Sequence, residues 1–381
     1  MNKNFMDEQK IKINIYTPKK SEDNVAGEHI SAAGDDYVGR QQTDVGLEKT
    51  IAPSVWRRLI FVFWLVFLMV FIGGIFAALV YKTNFTFSKI KFASSELQPG
   101  LLPVHQLLPE NDENRENILL LGYRGPDDPN GGLLTDTLMI LSVEKSTDRV
   151  AMISIPRDLF IQIPGTKINE KINYAYAYGQ EQRGGQGVLY IKAAIAQVTG
   201  LFIDNVVLVN FNAFSDLVDA LGGINIYLKE PFVENIQFSK EIIIDLPVGE
   251  NHLNGQTALY YIRSRYTTSD FDRAKRQQRV LLAIKDKATS LGVLANPIKV
   301  FALLDALGKN VKTDLGVGDI KNLLVLYGRL DFDTLQTKVF DTTPQGLLYA
   351  DQSDTGAYIL LPVGGNFDQI KAACQNIFTT K

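Results

Sequence analysis

The stretch YIRSRYTTSDFDRAKRQQR, Tyr261–Arg279, sets the six cations Arg263, Arg265, Arg273, Lys275, Arg276 and Arg279 against two carboxylates, Asp270 and Asp272. Guanidinium forks match the oxygens of phosphates and carboxylates, so this density of arginine points to an anion. On a helix at ~100° per residue, Val280, Leu281, Ile284 and Ala288 form a core-facing stripe. Arg273, Arg276 and Gln277 lie on or beside that stripe one turn earlier, whereas Lys275 and Arg279 fall on the solvated side. If IRSR is extended, Arg263 and Arg265 project to one side, because strand side chains alternate. Four guanidiniums then converge. Like charges ~6 Å apart repel by about 3 kcal/mol per pair at an effective dielectric of ~20, and burial adds desolvation, so the cluster requires a counter-ion. Asp270 and Asp272 supply part of it while capping the helix. A pyrophosphate held by the arginines and by N–H groups of the helix N-terminus supplies it more fully.

A second constellation supports phosphate chemistry. Thr135-Asp136-Thr137 opens one strand of a predicted hairpin and Ile155-Pro156-Arg157-Asp158 closes the other, so both motifs lie at one end of the pair. There Asp136 could hold a divalent cation and Arg157 a phosphate oxygen. Other chemistries are poorly supplied. Cys374 is the only cysteine, which removes intramolecular disulfides and Cys-based zinc sites. His29, His105 and His252 are scattered without ligand spacing, against a histidine triad or metal cage. With 39 basic and 42 acidic side chains and a formal net charge of -3, the chain has no general attraction to nucleic acid.

The elements that position these motifs follow from apolar patterning. The chain has 381 residues and 46% apolar composition, enough for a large folded core. Leu59–Tyr81 is an uncharged apolar run long enough to cross a bilayer of ~30 Å as one transmembrane helix. Residues 1–58 read as a disordered cytoplasmic tail, 82–113 as a stalk, and 114–381 as the extramembrane domain. Flanking charge nearly ties; only Arg57-Arg58 favours a cytoplasmic N-terminus. Beyond the stalk, NILLLGY reads as a strand, and TLMILSVE and RVAMISI as a hairpin about Lys145–Asp148. GQGVLYIKAAIAQVTG and FNAFSDLVDALGG are helical, separated by the strand NVVLVNF. INIYL and EIIIDL are further strands. Helices follow from Asn254 to Tyr261, over 271–290, and near 297–310 and 316–330; the strands LQTKVFD and AYILLP and a helix near 367–378 complete the chain. Such interleaving predicts an α/β fold, a single mixed β-sheet covered by helices on both faces.

The motifs, in this order behind one membrane span, resemble the LytR-CpsA-Psr family of cell-envelope glycopolymer transferases. The matching stretches are NILLLGY, LLTDTLMI, ISIPRDLFIQIPG, KINYAYAYG, FSDLVDALGGI, LNGQTALYYIRSR and DFDRAKRQQ, from about Asn117 to Ala288. The resemblance implies an extracytoplasmic phosphotransferase. It would move a glycopolymer from a polyprenyl-pyrophosphate carrier to peptidoglycan or another cell-wall acceptor, with Mg²⁺ on the pyrophosphate. By motif, Asp136 matches the magnesium carboxylate, Arg157 the pyrophosphate arginine, and Arg263, Arg265, Arg273 and Gln277 the rest of the phosphate clamp, with Asp270 the acid beside it. Two positions depart: Arg124 stands where most members carry a second metal carboxylate, and Leu134 where many carry an arginine. Asp127 or Asp128 is then the replacement metal ligand and Arg124 the replacement cation. Asp270 and Asp158 are the candidate general bases. Hydrolysis of the same lipid and non-catalytic binding of polyprenyl phosphates are the alternatives.

Overall fold

The computed structural model describes Val104, residues 106–125, Asp128 and residues 131–379. The expected tail, the membrane span over 59–81, most of the stalk, and Asp127 lie outside the described residues. Among the described residues no helix is long and apolar enough to cross a membrane.

Six apolar runs share one sheet: β1 (Arg115–Tyr123), β2 (Thr135–Glu144), β3 (Arg149–Ser154), β4 (Asn205–Asn210), β5 (Val311–Thr313) and β6 (Asp331–Val339). Their order across the sheet is β5-β4-β1-β2-β3-β6. β1 and β4 run parallel, as do β3 and β6, while the remaining neighbours are antiparallel, so the sheet is mixed. Eight helices are described: α1 (Ala175–Gln182), α2 (Gly187–Thr199), α3 (Phe211–Ala220), α4 (Gly255–Arg263), α5 (Asp270–Ser290), α6 (Pro297–Leu307), α7 (Val317–Tyr327) and α8 (Asp368–Gln375).

β4 shows how the sheet is covered. Val206 and Leu208 enter the main core with Leu119, Leu121 and the α2 residues Ile191 and Ile195, whereas Val207 and Val209 turn toward Leu303, Leu304 and Leu307 of α6. The two-residue period of a strand thus feeds cores on both faces. Each fully buried side chain of this kind contributes about 1.5–3 kcal/mol.

The expectation of a single sheet needs correction. Four two-stranded pairs stand apart from it: residues 160–162 with 169–171, 224–228 with 249–253, 232–234 with 244–246, and 348–352 with 358–362. INIYL and EIIIDL do form strands, but Ile224, Ile226, Phe232, Ile244 and Leu246 bury their inward face on Tyr261 and Val280 rather than extending the main sheet. A strand pair with one apolar face is satisfied by a helix as well as by more strands, and periodicity does not say which.

The expected extension of IRSR also fails. α4 continues through Arg263, and only at Ser264 does the backbone leave the helix, with φ −59 and ψ 135. The last carbonyls of a helix have no partners within it. Here side chains supply them. Arg276 donates through Nε to the Tyr261 carbonyl at 3.0 Å, Gln277 through Nε2 to that of Ile262 at 3.4 Å, and Gln237 through Nε2 to that of Arg263 at 2.8 Å. Arg276 also donates through Nη2 to the Ser264 carbonyl.

Candidate active site

Two local structures meet at the site. β2 begins at Thr135, which places Asp136 at the sheet's end, and the chain leaving β3 brings Arg157 and Asp158 to the same end. Opposite them, Ser269 caps α5: its Oγ accepts from the Asp272 backbone N–H at 3.0 Å. Asp270 and Asp272 occupy the first turn of α5, where the helix dipole favours negative charge.

Asp270 is the hub of the cluster. Its carboxylate lies 3.3 Å from Arg157 Nε, 3.4 Å from Arg273 Nη1 and 3.6 Å from Arg265 Nη1. Arg157 turns its Nη1 to Asp136 Oδ1 at 2.5 Å, and its Nε is 3.5 Å from Asp158 Oδ2. Asp158 is held in turn by Lys171 Nζ at 2.6 Å. Arg273 donates through Nη2 to the Asp136 carbonyl at 3.3 Å, while its buried Nε has no hydrogen-bond partner. A buried donor left unpaired costs ~1–3 kcal/mol, so the cluster holds an unmet demand for an acceptor.

The charges are mutually dependent. Burial pushes the Asp270 carboxyl upward, but Arg273, Arg157 and Arg265 outweigh it and hold the group below the usual carboxylate range. Burial lowers Arg157, yet Asp136 and Asp270 more than restore it and leave it above its ordinary value. For Arg273 burial wins, aided by Arg157 and Arg265 and opposed by Asp270 and Asp136; the guanidinium is brought down to about 10 and stays charged at neutral pH.

Three cavities open on this cluster. Beneath it, between Asp136, Arg157, Arg273 and Gln277 and the apolar Leu138 and Val339, is a space of ≈ 20 Å³, room for about one water. A groove of ≈ 750 Å³ shares Asp136 and Arg157 with that space, and a smaller one of ≈ 350 Å³ shares Pro156, Asp270 and Phe271. The arginines are neither splayed into solvent nor each neutralised separately; they share the carboxylates of Asp136, Asp158 and Asp270.

Arg157, Arg265, Asp270, Arg273 and Asp136 therefore come together, and Gln277 lines the space beneath them while its amide serves the end of α4. Four residues do not join them. The Arg263 guanidinium stacks 4.4 Å from the Phe211 ring centroid and 5.5 Å from that of Phe238, and burial, with Arg124 nearby, lowers it. Arg124 and Asp128 act electrostatically on Arg263, as does Asp136 of the cluster, but none of the ion pairs to Asp270 involves them. Arg276 points inward as the periodicity predicts, but its guanidinium lies 4.8 Å from the Phe232 centroid and 5.7 Å from that of Tyr261, and its donors serve the end of α4. Among the described residues no group of three or more His, Cys, Asp or Glu side chains is arranged to hold a metal.

Sequence reasoning missed the clamp on the turn that carries Arg265. Gln237 Oε1 accepts from the Arg265 backbone N–H at 2.6 Å while its Nε2 donates to the Arg263 carbonyl. Glu234, fully buried, accepts from the backbone N–H groups of Ile236, Gln237 and Thr267 at 3.0, 3.1 and 3.3 Å. Nothing in the spacing of VENIQF marks it. Lys171 was visible only as part of the KINYAYAYG motif.

The family model described as the LytR_cpsA_psr family matches residues 80–373. A curated relative, the polyisoprenyl-teichoic acid–peptidoglycan teichoic acid transferase TagU of Oceanobacillus iheyensis, is 33% identical over 256 residues, 66% of this chain and 75% of the relative. The transferase TagT of Bacillus subtilis is 29% identical over 293 residues, 73% of this chain and 87% of the relative. Among solved structures, TagT bound to LIIa-WTA superposes with a TM-score of 0.55 at 25% identity, covering 71% of this chain and 94% of that one. TagV of Bacillus subtilis superposes with a TM-score of 0.54 at 24% identity, covering 71% and 99%, and shows the same fold.

Proposed function

The chain belongs to the LytR_cpsA_psr family, and from that premise we propose that it is a transferase moving a glycopolymer from a polyprenyl-pyrophosphate carrier to a cell-wall acceptor such as peptidoglycan. Its relatives TagU and TagT are named for such a transfer, of teichoic acid to peptidoglycan. The observation that carries the reading is the convergence of Arg157, Arg265 and Arg273 on the one carboxylate of Asp270. A pyrophosphate offers those guanidiniums more oxygens and more charge than a single carboxylate, so it can replace Asp270 as their common partner and satisfy the free Nε of Arg273.

In the reaction, an acceptor hydroxyl oxygen forms a bond to the phosphorus that carries the glycan, and the bridging P–O bond of the pyrophosphate breaks. Polyprenyl phosphate leaves, and the hydroxyl proton passes to a base. Arg157, Arg265 and Arg273 stabilise the negative charge that develops on the phosphoryl oxygens and the leaving group. Asp158 and Asp270 remain the carboxylates that could take the proton, and both are already ion-paired.

Asp136 suits Mg²⁺, which commonly takes one or two carboxylates and completes its shell with water and substrate phosphate oxygens. That single carboxylate at the rim of the cluster fits a site completed by substrate and not an all-protein cage. When bound, the ion would neutralise charge on the pyrophosphate. Arg157 would then exchange Asp136 for a phosphate oxygen. The proposal includes the span over Leu59–Tyr81, with the N-terminus cytoplasmic and residues 114–381 on the outer face, where lipid carrier and wall acceptor meet.

The test incubates the full chain in detergent with a prenyl-pyrophosphate-linked glycan and peptidoglycan oligomers, with and without Mg²⁺. A joined phosphodiester product that is lost on chelation is expected. Free glycan phosphate alone would indicate a hydrolase, and binding without turnover a receptor; either outcome overturns the proposal.

A further inference from the structure

The ≈ 750 Å³ groove beside the arginine cluster is not explained by phosphate binding. Its walls are Leu134 and Ile168, which are exposed, Tyr174, the polar Asn173 and Gln182, and Glu170. Tyr174 is half-buried and packs edge-to-face on Tyr178, which also lines the groove, with ring centroids 6.1 Å apart. At its inner end the groove reaches Asp136 and Arg157, the two side chains it shares with the space beneath the cluster.

Charge narrows what can lie there. The groove is lined by three carboxylates, Asp136, Asp158 and Glu170, and two cations, Arg157 and Lys171. Both cations are already held, Arg157 by Asp136 and Lys171 by Asp158, while Glu170 has no ion pair among the described residues. Even with Arg183, which donates to the Tyr178 hydroxyl at 2.8 Å, the signs only balance. A polyanionic glycopolymer gains nothing from such a wall, and a prenyl chain would strip water from its charged groups without return. A neutral sugar chain suits it. Pyranose rings present apolar C–H faces to an aromatic side chain and hydroxyl or acetamido groups to Asn, Gln and Glu.

Position agrees with chemistry. In-line transfer puts the attacking hydroxyl and the leaving oxygen on opposite sides of phosphorus. The groove meets Arg157 and Asp136, the side chains that would hold the phosphoryl group, from its own side, apart from the ≈ 20 Å³ space beneath the cluster, which has room for about one water. We propose that this groove binds the acceptor glycan, a neutral β-linked N-acetylhexosamine chain, with Tyr174 as its stacking platform and Gln182 and Glu170 as hydrogen-bonding partners. The acceptor role rests on the transferase reading above; saccharide binding itself does not.

The test is calorimetric titration of the full chain in detergent with a β-1,4-linked N-acetylglucosamine tetrasaccharide. Wild-type protein is expected to bind it, and Tyr174→Ala to weaken binding by about fivefold or more, the worth of one aromatic contact. Gln182→Ala, at an exposed position that leaves the core intact, should weaken it by a smaller factor. A soluble poly(glycerol phosphate) oligomer should not displace the tetrasaccharide. Displacement by that polyanion, or affinity indifferent to both substitutions, overturns the groove. Prenyl-pyrophosphate cleavage, measured separately, keeps the two ideas apart: cleavage with no tetrasaccharide bound sinks the groove alone, and tetrasaccharide bound at this groove without cleavage under any condition sinks the transferase reading.

Discussion

Arg273 and Arg276 stand one turn apart on α5 and are almost equally buried, with 8% and 5% of their surface exposed. Arg273 meets Asp270 and leaves one nitrogen unpaired; Arg276 meets two aromatic rings and the carbonyls of Tyr261 and Ser264. The difference lies in what each partner permits. A carboxylate on a flexible side chain can give way to a stronger anion, so Arg273 is held but exchangeable. Carbonyls at a helix end cannot move without unwinding the helix, so Arg276 is committed to the fold. Burial and a positive charge are common to both; only the partner separates a binding cation from a structural one.

That contrast is most sharply tested by removing the exchangeable cations. Arg157→Ala or Arg273→Ala should lower the single-turnover transfer rate by ~10²-fold or more, as loss of a preorganised charge donor does. Arg265→Ala should act in the same direction but more weakly, since its ion pair to Asp270 is the longest of the three. Arg157→Lys keeps the charge but not the fork that spans Asp136 and Asp270, so it should recover only part of the rate. Rates within twofold of wild type in a folded Arg273→Ala variant would erase the distinction.

The opposite signature is expected one turn along. Arg276→Ala strands two carbonyls and empties the space beside Phe232, and should cost about 2–4 kcal/mol in urea unfolding. Transfer by the fraction that remains folded should fall far less than for Arg273→Ala. A variant of full stability that loses ~10² in rate would place Arg276 in the binding site after all.

The same pair shows how far a sequence can be read. Helical periodicity gives direction: it turns Arg273 and Arg276 inward with Val280, as they are, but of the two glutamines it selects Gln277, which is half-buried, whereas Gln278 is the buried one. It gives no account of what waits inside, so by periodicity alone Arg276 is indistinguishable from the phosphate-binding arginines. The strands β1, β2 and β3 are legible because each has an unbroken apolar centre, Ile118–Leu121, Leu138–Leu141 and Val150–Ile153. The three-residue pairs at 160–162 with 169–171 are too short to show a period of two. IRSR failed for a related reason: four residues fit a strand and a helix end equally well, and what decides between them, the side chains of Arg276, Gln277 and Gln237 on the α4 carbonyls, is distant in sequence.

Gln237 joins the two environments and carries the smallest expected effect. Its amide faces the turn as a peptide group would, donating to the Arg263 carbonyl and accepting from the Arg265 N–H, so it fixes the backbone from which Arg265 reaches Asp270. Gln237→Met keeps the length and loses both bonds, at about 1 kcal/mol each, and the turn loosens. The transfer rate should then fall by roughly tenfold, with urea stability changing far less than in Arg276→Ala. Gln237→Glu keeps the acceptor for Arg265 but sets a carboxylate against the Arg263 carbonyl, so its rate should lie between Met and wild type only if the Arg265 contact matters more. Should Met and Glu behave alike, the Arg263 carbonyl is the important anchor, and the arginine turn is held as a helix end before it is held as a binding site.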